Sequence, residues 1–204
     1  MKKLFLNIQK VHIKGKDPSV LSTLVADIDK QMQSLVIATD EARALMSKYN
    51  GNNNGAQYEK ASATLHELSR HIRECTVVVN DLEMQVVAFQ NKVFRFEGSN
   101  RAAPMPKKFI ATETKAITSH VDLQYGMDEM RAVATGLSKY CEKTRSVIKG
   151  ILMARSRIST VWVDPQFKDF AAVIENVRVV TERHVKELDV YVTYLNTRIK
   201  EMLS

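Results

Sequence analysis

Cysteine, proline and glycine are scarce in this chain, and each shortage argues against a class of protein. Two cysteines among 204 residues are too few for the disulfide framework of a small secreted domain. Seven glycines and four prolines provide few turn residues, which favours long helices over a fold of many short strands. No apolar run approaches the roughly 18 residues that a membrane-spanning helix needs. The composition is that of an ordinary globular protein of one large or two small domains.

The first ten residues, MKKLFLNIQK, also lack the apolar stretch of about 7–15 residues that a secretory signal requires. We therefore expect a soluble chain that is made in the cytoplasm. Export without a cleavable signal peptide stays open.

The net charge of +7 is concentrated in two segments. Five lysines against one aspartate give residues 1–17 a charge of +4, and four basic residues against one glutamate give residues 98–115 a charge of +3. A DNA-binding groove or a membrane-bending surface places its cations along a helical face, whereas the excess positive charge here lies in these two short segments. The candidate anion contacts are Lys2, Lys3, Lys10, Lys14, Lys16, Arg101, Lys107 and Lys108.

Apolar residues recur in alternating steps of three and four, which is the heptad pattern of packed helices. The pattern predicts an all-α fold with helices near 18–49, 56–97, 112–159 and 165–203. An Asn/Gly cluster, NGNNNGA, separates the first two helices and is typical of a turn. Between the second and third helices, Gly98 and two prolines should end one helix and delay the next.

These elements divide the chain into an extended N-terminal arm and two antiparallel helical hairpins that form a coiled-coil-like rod or bundle. The arm covers residues 1–16, and the first hairpin covers 17–97. A basic, proline-containing linker over 98–111 precedes the second hairpin at 112–204. Whether the hairpins pack together or extend end to end stays open.

Two Asp-Pro pairs are predicted to start helices, at Asp17-Pro18 and at Asp164-Pro165. Aspartate caps the free amide groups of a first helical turn, and proline has no amide hydrogen to lose there. The only tryptophan lies just before the second pair, where its indole can cover the end of the hairpin. We assign a structural turn to Trp162, Asp164, Pro165, Phe167 and Phe170.

A helical hairpin with tryptophan at its turn resembles the WXG100 (ESAT-6-like) family over residues 112–203. Trp162 matches the family tryptophan, and Phe170 matches an aromatic residue often found eight positions later. Asp164 stands at the position of the family's glycine, and the C-terminus lacks the Tyr-x-x-x-Asp/Glu export signal. The resemblance implies a helical hairpin associated with type VII secretion.

The N-terminal arm alternates apolar and polar residues, which is a strand pattern. A lone strand cannot satisfy its backbone groups in an all-helical monomer. The arm is therefore predicted to pair with a copy of itself, join a partner's sheet or lie along a helical groove; a disordered terminus is the alternative. The apolar residues of this assembly arm are Leu4, Leu6, Ile8, Val11 and Ile13.

No catalytic motif is found in the sequence. His71 and Cys75 share a helical face at the spacing of two metal ligands, but the sequence supplies no further pair to complete a site. We therefore expect no metal, no cofactor and no small-molecule substrate. His120 and His184 fall on the seams of the second hairpin, as polar register positions or as a pH-sensitive pair.

The sequence favours a non-enzymatic helical assembly protein that self-associates or binds a helical protein partner. A type VII secretion-associated substrate or component is the more specific form of this hypothesis. The alternative is a membrane- or nucleic-acid-associated coiled protein whose basic arm and linker bind an anionic surface.

Overall fold

A computed structural model describes residues 18–49, 55–117, 126–162 and 166–204 of the chain. The described residues contain four long helices, which confirms the all-α fold class. The helices are α1 (Ser19–Lys48), α2 (Gly55–Phe96), α3 (Met127–Val161) and α4 (Gln166–Glu201).

Three of the four helices begin and end within two residues of their predicted bounds, and α3 is the exception. Its predicted start near residue 112 is wrong, because residues 112–117 are not helical and α3 begins at Met127. In an α-helix the Lys115 carbonyl would accept a hydrogen bond from the amide four residues later. Here it accepts one from the Arg43 guanidinium instead. A tertiary contact with α1 replaces the helical one here.

Gly98 ends α2 as the sequence predicts. Its φ of 70° lies in the left-handed region, which glycine adopts without steric cost. The Gly98 amide donates to the Arg95 carbonyl at 3.1 Å, and the Ser99 amide donates to the Phe94 carbonyl at 2.9 Å. These two bonds form a Schellman motif, which satisfies the last carbonyls of the helix.

The chain forms two compact units, and each unit takes a segment from all four helices. The described residues of unit 1 lie within 18–33, 73–112 and 148–177. Those of unit 2 lie within 34–72, 113–147 and 178–204. Segments of both predicted hairpins therefore pack together inside each unit.

Helix directions in unit 2 follow from pairs of contacts that α1 makes with two neighbours. Residue numbers rise along α2 and α3 as they fall along α1, so α1 is antiparallel to both. The contacts are Tyr58 with Met46, His66 with Arg43, Gly136 with Leu45, and Tyr140 with Thr39. Within unit 2, α2 and α3 therefore run in the same direction.

Apolar side chains from all four helices form the core of each unit. Large aliphatic side chains from several helices are completely buried, and each contributes about 1.5–3 kcal/mol through removal from water. In unit 1 these include Leu21, Val25, Ile28, Val79 and Leu82. In unit 2 they include Leu35, Leu65, Leu68, Leu137, Leu188 and Leu195.

Candidate functional site

Residues 99–117, the crossover segment, lead from α2 towards α3 without helical structure. In unit 1 the segment is held on α2 by Asn91, whose side chain forms two hydrogen bonds with the backbone of Ala103. Asn91 Nδ2 donates to the Ala103 carbonyl at 2.9 Å, and the Ala103 amide donates to Asn91 Oδ1 at 2.7 Å. The side-chain amide thus pairs with a peptide group as a neighbouring strand would.

Asn80 forms a second clamp further back along α2. Its Nδ2 donates to the Lys107 carbonyl at 3.2 Å, and its Oδ1 accepts from the Phe109 amide at 2.8 Å. Asn80 and Asn91 are three helical turns apart, a rise of about 16.5 Å. The five residues from Ala103 to the middle of the second clamp span about 15.5 Å in a polyproline II helix, so the two spacings match.

Burial along the crossover segment repeats every third residue. Ala103, Pro106 and Phe109 are half-buried, whereas the two residues between each pair are exposed. A period of three is that of a polyproline II helix, and a strand would alternate every second residue. A segment of this conformation has no hydrogen bonds within its own backbone, so the asparagine side chains can bind its amides and carbonyls.

The outward side of the crossover segment combines cations with apolar side chains. Arg101, Lys107 and Lys108, three of the predicted anion contacts, are exposed. Met105 is 51% exposed and Ile110 is 73% exposed. We call these five residues the outer face. The other predicted anion contacts lie outside the described residues, as does the assembly arm: Lys2, Lys3, Leu4, Leu6, Ile8, Lys10, Val11, Ile13, Lys14 and Lys16.

A buried polar cluster lies directly behind the Asn80 clamp. Asp29, only 3% exposed, accepts hydrogen bonds at Oδ2 from Gln33 at 2.6 Å and from Asn80 at 3.1 Å. The pKa of the Glu83 carboxyl is raised to about 7, first by burial and then by its hydrogen bond to Asp29 and the charge of Asp29. The cluster fixes Asn80 and holds a proton near neutral pH.

Trp162 lies at the end of α3 in unit 1 and is 1% exposed. Its ring centroid is 5.8 Å from that of Phe167 and 5.8 Å from that of Phe170, both on α4. Phe170 is itself completely buried. Asp164, Pro165 and Asp17, the remaining predicted capping residues, lie outside the described residues.

The described histidines have separate environments. His184 is buried in unit 2, where Nδ1 is 2.7 Å from the Val180 carbonyl and Nε2 is 3.5 Å from Glu67 Oε2. Its predicted neighbour His120 lies outside the described residues. His71 and Cys75 are both buried, and within the described ranges no three potential ligands cluster as a metal site requires.

The most nucleophilic side chains are kept protonated by burial. Burial raises the pKa of Cys75 to about 12, assisted by Glu74, and raises the pKa of Cys141 to about 12, assisted by Asp189. The charge of Arg145 acts in the opposite direction on Cys141, but burial outweighs it, so both thiols lack the lowered pKa of a reactive cysteine.

Unit 2 also contains a small open cavity between α1 and α3, with a volume of 270 Å³. It is smaller than the roughly 300–1,000 Å³ of usual ligand pockets. The pKa of Tyr140 in its wall is raised to about 12 by burial, so this phenol keeps its proton near neutral pH. The cavity is lined by Ala38, Glu41, Ala42, Leu45, Gly136, Lys139, Tyr140 and Lys143.

Comparisons with protein-family models, with curated proteins and with solved structures find no match to this chain. None of the helices over the described residues is long and apolar enough to cross a membrane. The crossover segment and its two asparagine clamps are therefore the candidate functional site.

Sequence reasoning missed both clamps. Asn80 and Asn91 are ordinary polar residues beside an apolar seam, and heptad periodicity identifies only the seam. One signal could have found them: the rise between Asn80 and Asn91 on α2 matches the length of the linker segment that they bind. This match can be recognised only once the linker is known to run back along α2.

Proposed function

We propose that this protein is a non-enzymatic helical assembly protein that binds other subunits, either copies of itself or a helical protein partner. One observation carries the proposal: Asn80 and Asn91 hold the crossover segment in place while its outer face points to solvent.

The outer face has the composition of a protein-binding surface. Met105 and Ile110 supply apolar area on the same segment as Arg101, and methionine and arginine are enriched at protein interfaces. The clamps order the backbone before any partner arrives. Binding to this segment therefore costs less conformational entropy than binding to a free tail.

The specific form of the proposal is a type VII secretion-associated, WXG100-like substrate or component. The packing of Trp162 against Phe167 and Phe170, where α3 meets α4, supports it. Co-expression with a type VII secretion system tests this form: the chain should appear in the medium only when the system is present. Equal release from cells without the system contradicts it.

The alternative is a membrane- or nucleic-acid-associated protein. It is supported by the exposed cations Arg101, Lys107 and Lys108 of the crossover segment. Binding of this kind weakens as salt rises, because it releases counterions from the anionic surface.

Sedimentation velocity tests assembly. The chain, a form lacking residues 1–16 and the Met105→Ser/Ile110→Ser variant are compared between about 0.01 M and about 0.1 M salt, where the Debye length falls from about 30 Å to about 10 Å. Self-association should strengthen as salt screens the repulsion between lysines, and it should weaken in the serine variant. Association that is lost only in the truncated form assigns assembly to the arm.

Met153→Ser is the matched control, since Met153 is also an exposed methionine of unit 1 but lies on α3. Monomers at every salt concentration, together with no binding of a helical partner, contradict the proposal. Salt-sensitive binding to anionic vesicles or DNA by such monomers supports the alternative.

A further inference from the structure

The clamps on α2 bind backbone atoms. Asn91 contacts the amide nitrogen and carbonyl oxygen of Ala103, and Asn80 contacts the carbonyl oxygen of Lys107 and the amide nitrogen of Phe109. Every peptide unit offers the same groups, so such contacts select an extended conformation of the right length rather than a particular sequence.

Side-chain selection comes from the half-buried residues of the crossover segment. Ala103, Pro106 and Phe109 are half-buried at every third position, and the intervening residues are exposed. A chain segment that fits this surface is therefore extended, contains proline, and has small or aromatic residues at a spacing of three. Proline favours the polyproline II conformation and so lowers the entropic cost of binding.

We infer that the face of α2 around Asn80 and Asn91 is a binding site for an extended, proline-containing peptide of a partner protein, and that the crossover segment occupies this site in cis. The inference rests on the proposed assembly function and names the chemistry of one partner. The crossover segment is the covalently attached ligand, and a partner peptide of the same pattern takes its place.

Attachment makes the crossover segment a strong competitor. A tethered ligand has an effective concentration in the millimolar range, so a free peptide binds the intact chain weakly. Weakening the attached ligand without altering α2 should raise the affinity for free peptide. Damage to a clamp should lower it.

The probe is a fluorescent synthetic peptide of residues 99–112, SNRAAPMPKKFIAT, and the measurement is anisotropy with the full chain. Phe109→Ala removes the largest inward side chain of the attached ligand and leaves α2 intact. This variant should bind the peptide about tenfold more tightly than the unaltered chain, equivalent to about 1.4 kcal/mol. Addition of Asn91→Ala to Phe109→Ala should reverse the gain.

Control measurements separate peptide binding to this face of α2 from charge attraction and from unfolding. A peptide that is N-methylated at Ala103 keeps its charge but cannot donate to Asn91, so its binding should be lost. Met105→Ala alters an exposed residue of the attached segment and should leave peptide affinity unchanged. Circular dichroism checks the helices of each variant, and Ala103→Gly replaces Phe109→Ala if the latter loses helix.

Equal peptide affinity of the unaltered and Phe109→Ala chains overturns the inference, and so does equal binding of the methylated peptide. If either result accompanies self-association by sedimentation, the inference fails while the proposed assembly function stands. Peptide binding in a chain that remains monomeric and binds no helical subunit supports the site and contradicts the proposed function.

Discussion

Asn80 donates a hydrogen bond to Asp29 at 3.1 Å, and both side chains are buried in unit 1. The same Asn80 side chain binds the backbone of the crossover segment at Lys107 and Phe109. A buried carboxylate on α1 thus fixes the rotamer of the residue that anchors a surface segment. One amide group thus links the buried core of unit 1 to the crossover segment.

Asn80→Ala should lower the free energy of unfolding by about 2–3 kcal/mol, because it leaves buried polar groups without their partner. Urea denaturation measures the change. Asp81→Ala, at an exposed position on the same helix, should change stability by about 0.5 kcal/mol or less. Equal effects of the two substitutions contradict a special role for Asn80.

Trp162→Ala should lower stability by about 3 kcal/mol, the usual cost of a large aromatic truncation in a core. As the only tryptophan, Trp162 should also show blue-shifted emission in the native protein. Phe96→Ala is the control, since Phe96 is 94% exposed and its loss should be nearly neutral. Water-like emission with an unchanged melting temperature would show that Trp162 is not packed in the core.

The Asp29–Glu83 pair should make stability fall as pH rises from about 4.5 to about 7. The pKa of Glu83 is raised from 4.5 in the unfolded chain to about 7, so the folded state binds this proton more tightly. The stabilisation of the folded state by this proton is complete below pH 4.5 and is lost as pH rises through 7. Glu83→Gln cannot titrate and should remove this pH dependence.

Urea denaturation at several values between about pH 4.5 and pH 8 compares the two chains, and the difference between them isolates Glu83 from the other titrating groups. Asp81→Asn, which neutralises an exposed carboxylate on α2, is the control. A constant difference between the Glu83→Gln and unaltered chains across this range contradicts the prediction.

Gly98→Ala should cost about 1 kcal/mol, because an alanine side chain is strained at a φ of 70°. The space around Gly98 is open, so a clash contributes nothing to this cost. Thermal unfolding of Gly98→Ala beside Glu97→Ala, an exposed neighbour, measures the difference. A Gly98→Ala chain as stable as the control would show that the Schellman motif adjusts without strain.

Cys75 and Cys141 should react very slowly with a thiol reagent in the folded chain. Both thiols are buried, and at about pH 8 a pKa of about 12 leaves almost no reactive thiolate. In urea both should react rapidly. Fast labelling of one thiol under native conditions would reveal local opening around that cysteine.

The helices themselves could be predicted from local sequence. A twelve-residue apolar seam specifies α2, because side chains three and four positions apart share a helical face whatever surrounds them. Gly98 likewise ends α2 through its own backbone freedom. Trp162 could be placed between α3 and α4 because it lies just before the Asp164-Pro165 pair, which is predicted to start a helix.

The start of α3 and the path of the crossover segment depended on contacts remote in sequence. The predicted seam of the third helix begins at Ala116, yet the neighbouring Lys115 carbonyl binds Arg43 on α1. Asn80 and Asn91 acquire their roles only when a segment far along the chain returns past α2. Helical propensity and periodicity act within one element, whereas these hydrogen bonds join groups that packing brings together. The sequence therefore determined the helices, and the tertiary structure decided what the residues between them bind.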